Sequence, residues 1–406
     1  MGGCAMRKWV VVLLLAVSAW PAMAAKSVSV GQLDQLLGTL HGKSDGKVAQ
    51  ELSDLELTER VSPDRLAHWE KDFPGSRTHE ALTKLVDLAA FLNPPATDVV
   101  PIPGPDSATQ ERMLAMAVDY VKSTITRLPN FLATRETAHF EDTPSQQTVV
   151  AGGGNLLGAR AMRGGQSISV SNSEYKSLHS TGTSSTVVTY RDGFEVHDTD
   201  AVRGKSQGGP PRALTTMGEF GPILSVVLGD VLRSEATWQR WEKGASEPVA
   251  VFRYVVPEEQ SNFTVGIPTG DKIENVYPGY HGEIAVDPAS GAILRISLVA
   301  EMPSPYQAMQ SAIMVEYAPV TIGEQSFICP VRSVAFSKVP MAHSAALQQG
   351  SAVDVQTQLN DVAFTQYHLF RSKSRIVTNE SGTGDAPPGA VPTTPANPAA
   401  PAPQQP

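Results

Sequence analysis

The sequence predicts an α+β protein in which a small N-terminal helical module precedes an antiparallel open β-half-barrel that wraps round a buried helix. Before Pro129, apolar residues recur at the spacing of amphipathic helices. From Asn130 onward, apolar and polar residues alternate between turn signals, which is typical of antiparallel strands with one covered face. A stretch that starts at Pro222 has helical character and is apolar on nearly every side. Together these three observations define the expected architecture.

Residues 1–24 have the organisation of a secretory signal peptide. Arg7 and Lys8 precede an apolar run of about 12 residues, and a small-x-small site predicts cleavage before Ala25. The run is shorter than the roughly 20 residues that a membrane-spanning helix needs, and a retained membrane anchor is the alternative. The mature protein is therefore predicted to be periplasmic or secreted.

The charge balance bears on the class of partner. The chain carries a formal charge of −9, and loss of Arg7 and Lys8 with the signal peptide would leave −11. A negative surface repels phosphate backbones and anionic lipid headgroups. No nucleic-acid partner is therefore expected.

Residues 25–93 are predicted to form the helical module. Ser29 and Gln32 have the spacing of a capping box, and leucines follow them at helical intervals. Pro63 suits the first position of another helix. A further apolar face begins at Leu82 and stops at a pair of prolines. These apolar stripes are interpreted as positions in the core of the module.

A proline-rich segment, residues 94–105, is predicted to be a semi-rigid linker. Asp106 follows it as the N-cap of a helix that ends before Pro129. This helix opens the second unit, residues 106–378, which contains the half-barrel. Residues 379–406 are rich in proline and alanine with few large apolar side chains, so they are predicted to form a disordered tail.

The stretch PILSVVLGDVLRS from Pro222 is the predicted central helix of the half-barrel. A helix with almost no polar face is stable in water only where other elements cover it. Space between this helix and the sheet is the predicted ligand cavity. The predicted cavity wall consists of Ile223, Leu224, Val227, Leu228, Val231 and Trp238.

Trp238 has Trp241 as a near neighbour in the sequence. In a regular strand, residues three apart point to opposite faces, so one of the two rings is expected to pack against the helix and the other to cover an edge. Ordinary core packing is the alternative to a role in ligand stacking.

The stretch YHGEIAVDPASGAILRISL from Tyr280 predicts a hairpin. Ile284 and Val286 share one face of its first strand, and polar residues occupy the other. Pro288 and Gly291 suit a turn, because one fixes φ and the other permits a positive φ. Asp287 is therefore interpreted as a turn residue rather than a catalytic carboxylate.

Motifs that would indicate a reaction are weak. The chain lacks a Gly-x-Ser-x-Gly elbow, and Ser173 with Lys176 fits Ser-x-x-Lys without an accompanying Lys-Thr-Gly element. The run EVHDTD from Glu195 places its donors on alternating faces of a strand, which does not suit one metal ion. Cys329 is interpreted as a small buried side chain. No catalytic residue, metal site or cofactor is predicted.

Several segments follow one another in a recognisable order. They are YRDGFEVHD, the helix from Pro222, Trp238, VAVFRYVVPEE, GEIAVDPASGAILRI and VEYAPVTIGEQSF. This order resembles that of the periplasmic lipoprotein carriers of the LolA and LolB type and the lipid-binding sensor domain of the RseB type. The resemblance implies an open antiparallel half-barrel round helices, with an apolar cavity for acyl chains. The helical module and the proline-rich tail depart from the carriers' pattern.

Shorter segments resemble a set of secreted acidobacterial proteins. They include LTERVSP, FLNPP, LPNFLATRET, YHGEIAVDP and ICPVRSV. This resemblance spans nearly the whole mature chain. It implies secretion and the same order of domains, and it implies no activity.

These expectations lead to three hypotheses for function. The first is a non-enzymatic periplasmic or secreted protein that binds an acyl chain, a lipid or a lipidated envelope partner between the sheet and the central helix. The second is an envelope scaffold with a fully packed core, which contacts another envelope protein through the helical module or the tail. A hydrolase with an unrecognised site is the least favoured.

Overall fold

The computed structural model of the chain describes residues 26–143, 146–151, 161–163, 166–173, 176–191, 194–196, 222–231, 233–269, 272–340 and 355–370. The predicted signal peptide and the predicted tail lie outside these residues. None of the helices in the described part is long and apolar enough to cross a membrane.

Six α-helices occur in the described part of the chain. They are α1 (Val30–Leu40), α2 (Asp45–Ser53), α3 (Pro63–Asp72), α4 (Ser76–Leu88), α5 (Ser107–Arg127) and α6 (Pro222–Val231). The Ser29 hydroxyl accepts from the Gln32 amide at 3.2 Å and the Gln32 side chain accepts from the Ser29 amide at 2.8 Å, so the predicted capping box is confirmed. Asp106 caps α5 by accepting from the Thr109 amide at 2.7 Å.

The strands fall into one large sheet and three small ones. The small sheets pair β1 (Lys26–Val28) with β2 (Leu55–Leu57), β5 (Gln146–Ala151) and β6 (Ala161–Arg163) with β7 (Gln166–Ser173), and β12 (Val265–Thr269) with β13 (Lys272–Val276). The large sheet contains β3 (Val99–Val100), β4 (Phe131–Thr143), β8 (Lys176–Arg191), β9 (Phe194–Val196), β10 (Glu235–Glu242), β11 (Val249–Val256), β14 (Gly279–Val286), β15 (Ile293–Glu301), β16 (Gln310–Ile322), β17 (Gln325–Pro340) and β18 (Val355–Leu369).

The large sheet has the strand order β3-β10-β11-β14-β15-β16-β17-β18-β4-β8-β9, and all neighbouring strands are antiparallel. The predicted α+β class with an antiparallel sheet is therefore confirmed. The predicted linker, residues 94–105, is partly ordered into this sheet, because Val99 and Val100 pair with Glu242 and Trp241. Two residues of β structure at this edge connect the helical module to the sheet.

The two faces of the large sheet carry different side chains. On β11, Phe252 and Tyr254 belong to the same apolar cluster as residues of α5 and α6, whereas Val251 packs in another cluster on the opposite face. We call the first face the helix face. The opposite face is the module face, because the helical module reaches it through Arg60 and Asp87. Strand periodicity thus separates an apolar face from a charged one.

The helical module has a hydrophobic core of its own. Leu33, Leu52 and Leu82, from α1, α2 and α4, are completely buried in it. Trp69 of α3 lies in the same cluster, and its indole nitrogen donates to Asp34 at 2.7 Å. Amphipathic helices too short to be stable alone are stabilised by this shared burial.

Candidate functional site

A narrow apolar crevice lies between α5, α6 and the helix face of the sheet. The space in it that a water-sized sphere can occupy is about 30 Å³, and the crevice is partly open to solvent. The lining is almost wholly apolar and includes Val121 of α5, Leu128 just after that helix, Leu224 of α6, Ile293 of β15, Tyr317 of β16 and Ile328 of β17. An apolar cleft with solvent access is the usual form of a small-ligand site.

Leu224 is the predicted wall residue that lines this crevice. The other four predicted residues of α6 lie in the core cluster shared with α5 and the sheet, and each is at most 8% exposed. They are Ile223, Val227, Leu228 and Val231. Ser225 of the same helix is exposed, so the described residues do not cover α6 on every side. The four core residues hold the helix in place, and Leu224 faces the open space.

Trp238 lies in an aromatic cluster on β10 and not at the crevice. Its ring centroid is 4.9 Å from that of Trp241 and 5.5 Å from that of Phe252, both in edge-to-face geometry. The prediction that the two tryptophans point to opposite faces is wrong, because a register shift between Trp238 and Arg240 inserts one residue. Such a β-bulge reverses the face on which the next side chain lies.

Helix α5 also lines the crevice, although none of its residues is among the predicted wall residues. Tyr120 and Thr124 line the crevice beside Val121 and Leu128. The apolar face of α5 was visible in the sequence, but its spacing cannot distinguish a face that packs fully from one that borders a gap.

A buried carboxylate anchors the end of α6. Asp230 is 0% exposed, and it accepts hydrogen bonds from the Tyr280 hydroxyl at 2.7 Å, the Asn262 amide at 2.9 Å and Arg233 at 2.6 Å. Burial first, then the hydrogen bond to Asp230 and its charge, raise the pKa of Tyr280, so this hydroxyl stays a donor. The carboxylate therefore ties α6 to β14 and to the loop before β12.

Asp230→Ala is expected to lower the free energy of unfolding by about 2–3 kcal/mol, because it leaves the buried Tyr280 hydroxyl without its acceptor. Urea titration followed by circular dichroism measures the change. Asp119→Ala, at an exposed position of α5, is the control and should change stability by less than about 0.5 kcal/mol. Equal effects of the two substitutions would contradict this role of Asp230.

The hairpin carboxylate is a turn residue, as predicted. Asp287 accepts from the Ala289 amide at 3.1 Å and from the Ser290 hydroxyl. Gly291 has a φ of 76°, and a Cβ atom there would lie 2.6 Å from the Met116 carbonyl oxygen of α5. Glycine is therefore required both by the turn and by the close approach of α5.

Cys329 is buried and borders the crevice. Burial raises the pKa of this thiol to about 12. A protonated thiol is a poor nucleophile. This agrees with the interpretation of Cys329 as a small buried side chain.

A charged cluster on the module face has Glu242 at its centre. Arg60 of the module binds both carboxylate oxygens of Glu242, at 2.9 and 3.0 Å, and Arg295 and Arg240 contact the same carboxylate at 3.0 and 2.6 Å. Glu283 accepts from Arg240 at 2.7 Å. The side chains of Arg60 and Glu242 are only 6% and 7% exposed. We call these five residues the Glu242 cluster.

The arginines determine the protonation of Glu242. Burial acts to raise its pKa, but Arg295, Arg60 and Arg240 outweigh burial and lower the pKa from 4.5 to about 2. Burial and the like charge of Arg295 lower the pKa of Arg60, so both effects destabilise the charged form of this side chain. Arginine remains charged at neutral pH in spite of such a shift. Glu242 and Arg60 are therefore both charged at neutral pH.

A second buried ion pair joins α4 to the module face. Arg332 of β17 contacts Asp87, whose side chain is 0% exposed, and donates to Asp361 of β18 at 3.0 Å. Glu316 lies 3.9 Å from the same guanidinium. Burial first, and the charge of Asp361 second, raise the pKa of Asp87 well above its ordinary value, although Arg332 acts in the other direction.

The described part of the chain contains no group of three or more histidine, cysteine, aspartate or glutamate side chains that could hold a metal ion. No family model, curated protein or solved structure matches this chain. The class of protein is thus defined by its own fold and geometry. It is an α+β protein whose antiparallel sheet contacts helices on both faces and borders an apolar crevice.

Proposed function

We propose that this protein binds an apolar ligand, namely an acyl chain, a lipid or a lipidated envelope partner, in the crevice between α5, α6 and the sheet. The observation that carries the proposal is the almost wholly apolar lining of a crevice that opens to solvent. No reaction is needed for this role, and the ligand enters by replacing water against apolar side chains.

The proposal includes an open half-barrel of the lipoprotein-carrier type that surrounds α5 and α6. It is supported by the single apolar cluster in which residues from five consecutive strands, β10, β11, β14, β15 and β16, pack with both helices. The signal-like residues 1–24 support a periplasmic or secreted location. That compartment contains membrane lipids and lipidated proteins, which are the proposed ligands.

The crevice as described has room for little more than one water molecule, so binding of a single acyl chain requires its walls to separate. An acyl segment that loses about 200 Å² of apolar surface gains about 5 kcal/mol before association costs are subtracted. Binding is therefore expected to be reversible, as a carrier or sensor requires. Tyr120, Thr124 and Tyr317 are the hydroxyl-bearing residues of the lining.

Leu224→Trp is expected to fill the crevice and to lower the affinity for a fluorescent fatty-acid probe by at least about tenfold. The reason is that the larger indole occupies the space in which an acyl chain would lie. The unfolding midpoint should change little, because Leu224 is only half-buried. Fluorescence titration and thermal unfolding of the full chain measure the two effects.

Val187→Trp is the matched control, since Val187 is 68% exposed on β8 and is not among the residues that line the crevice. This variant should bind the probe as the parent chain does. Equal binding by the parent and both variants, together with native mass spectrometry that finds no co-purified lipid, would overturn the proposal.

An envelope scaffold is the second candidate function. The observation that favours it is the complete packing of Ile223, Val227, Leu228 and Val231 in the core, which leaves only a narrow space beside α6. The helical module or the tail would then contact another envelope protein. In that case Leu224→Trp lowers stability and no fatty-acid probe binds to the parent chain.

A further inference from the structure

Three side chains from three neighbouring strands form a hydrogen-bonded row. The Nε2 atom of His139 on β4 lies 2.9 Å from the hydroxyl oxygen of Ser184 on β8. The Nδ1 atom of the same imidazole lies 2.9 Å from the side-chain oxygen of Asn360 on β18. These are the distances at which a nucleophile, a general base and an orienting group act together.

Strand register places the three residues on one face. His139 pairs directly with Asn360, and Ser184 pairs with Thr137, two residues from His139 on the same strand. The neighbouring residue Leu359 points to the module face, where it packs with Ala90. The row therefore lies on the face away from the helical module, and Ser184 is exposed.

The hydrogen bond to Asn360 fixes the imidazole tautomer. An amide oxygen accepts but cannot donate, so the Nδ1 atom of His139 carries the proton and the Nε2 atom presents its lone pair to Ser184. This is the tautomer that a general base needs for a serine nucleophile. We propose that Ser184 and His139 form an acyl-transfer site with Asn360 as its positioning residue.

The chemistry is hydrolysis of an ester through an acyl-serine. The Ser184 oxygen forms a bond to the ester carbonyl carbon while its proton passes to the Nε2 atom of His139. The tetrahedral intermediate then breaks the bond to the leaving alkoxide, which takes that proton. Water attacks the acyl-serine with His139 again accepting the proton, and the products are a carboxylic acid and free Ser184.

The local structure leaves room for a substrate at Ser184. Gly182 has a φ of 135°, and no atom of the described residues lies within 4 Å of the position that a Cβ would occupy there. The strand pairing shifts register at this point, opposite His139. Strand β9 pairs only with Thr189, Tyr190 and Arg191, so the amides on that edge of β8 near Ser184 have no partner strand among the described residues and are candidate donors to an oxyanion.

The expected substrate class follows from the neutral amide of Asn360, which contacts His139 where many serine hydrolases have a carboxylate. An amide stabilises the imidazolium less than a carboxylate does, so expulsion of a poor leaving group such as an amine is disfavoured. Short acyl esters with a good leaving group are therefore the expected substrates, and peptides are not. This inference goes beyond ligand binding, because the crevice is lined by β15 to β17 and the two helices and by none of these three residues.

The full chain should hydrolyse p-nitrophenyl acetate. Ser184→Ala and His139→Gln are expected to lower the rate constant by on the order of 100-fold, since general acid–base catalysis contributes at least that much. Asn360→Asp should raise it by about tenfold and move the acid limb of the pH–rate profile to higher pH, because a carboxylate stabilises the imidazolium. A residue with only a structural role would show neither change.

Ser185→Ala and His281→Gln are the matched controls, and both should retain the parent rate. Ser185 is the next residue on β8, and His281 lies on β14. Labelling with a fluorophosphonate followed by peptide mass spectrometry should place the adduct on Ser184. Circular dichroism verifies that each variant is folded. Unchanged hydrolysis in Ser184→Ala, or no rise in Asn360→Asp with the fold intact, would overturn the proposal.

Discussion

Glu242→Ala is expected to lower the free energy of unfolding by about 3–5 kcal/mol at neutral pH. The substitution removes the carboxylate that Arg60, Arg240 and Arg295 share. It leaves the buried Arg60 beside two guanidinium groups that retain only Glu283. Breaking a buried ion pair by removal of one partner is costly, because the remaining charge has lost both its solvent and its counter-ion.

The effect of Glu242 depends on pH in a definite direction. Its pKa in the folded state is about 2, below the ordinary value of 4.5, so the unfolded state binds the proton more tightly. This shift corresponds to about 3 kcal/mol of stability, fully present above pH 4.5 and lost as the pH falls through 2. The stability difference between the parent chain and Glu242→Ala should therefore shrink below pH 4.5.

Guanidinium chloride would screen these charges, so urea titrations between pH 2 and pH 7 are the suitable measurement. Glu259→Ala is the control, because Glu259 is exposed in the turn after β11, and it should change stability by less than about 0.5 kcal/mol. A loss below about 1 kcal/mol in Glu242→Ala at neutral pH would show that the cluster does not hold the module to the sheet.

Arg332→Met is expected to cost about 3–5 kcal/mol at neutral pH. Methionine retains much of the apolar length of the side chain but leaves Asp87, Asp361 and Glu316 without their shared cation. Asp87 is completely buried between α4 and the sheet, so its carboxylate cannot recover solvent while the module remains docked.

The loss in this second variant also decreases at low pH, but for a different reason, because the pKa of Asp87 is raised whereas that of Glu242 is lowered. Burial already raises the pKa of Asp87 above its ordinary value of 3.8, so the folded state binds this proton more tightly than the unfolded state. Removal of Arg332 raises that pKa further, and protonation then relieves the buried charge. The loss in Arg332→Met should be largest at neutral pH and should decrease as the pH is lowered towards 4.

The double variant Arg332→Met with Asp87→Asn tests this assignment. If the unpaired Asp87 charge causes most of the loss, the neutral amide should recover at least half of it in urea titrations at pH 7. Lys338→Met, at the far end of β17, is a control for removal of a cation from the same strand. The absence of any recovery would mean that Arg332 acts mainly through Asp361 and Glu316.

The local features of the fold could be predicted from the sequence. The capping box at Ser29 and Gln32, the cap at Asp106 and the turn at Asp287 each depend on side chains that bond amides two or three residues away. Strand periodicity is also a local signal, and it correctly predicted that Ile284 and Glu283 lie on opposite faces of the sheet. These features can be predicted because the local backbone geometry itself determines which atoms come into contact.

The candidate site could be predicted only in outline. The apolar character of α6 indicated a helix next to a core, and Leu224 does line the crevice. The packing of α5 and the sheet against α6 decides which side of α6 borders open space. The spacing of apolar residues in the sequence does not predict this packing. The bulge after Trp238 is a similar case, since one extra residue reversed the face of Trp241.

By itself, the sequence determined the α+β class, the positions of most helices, the antiparallel character of the strands and the role of individual caps and turns. Only the tertiary structure decided that Arg60 reaches Glu242 across 182 positions of chain, or that His139, Ser184 and Asn360 meet on three strands. The physical reason is that periodicity and capping are short-range properties of the backbone, whereas these contacts arise from strand register and from the docking of one core on another.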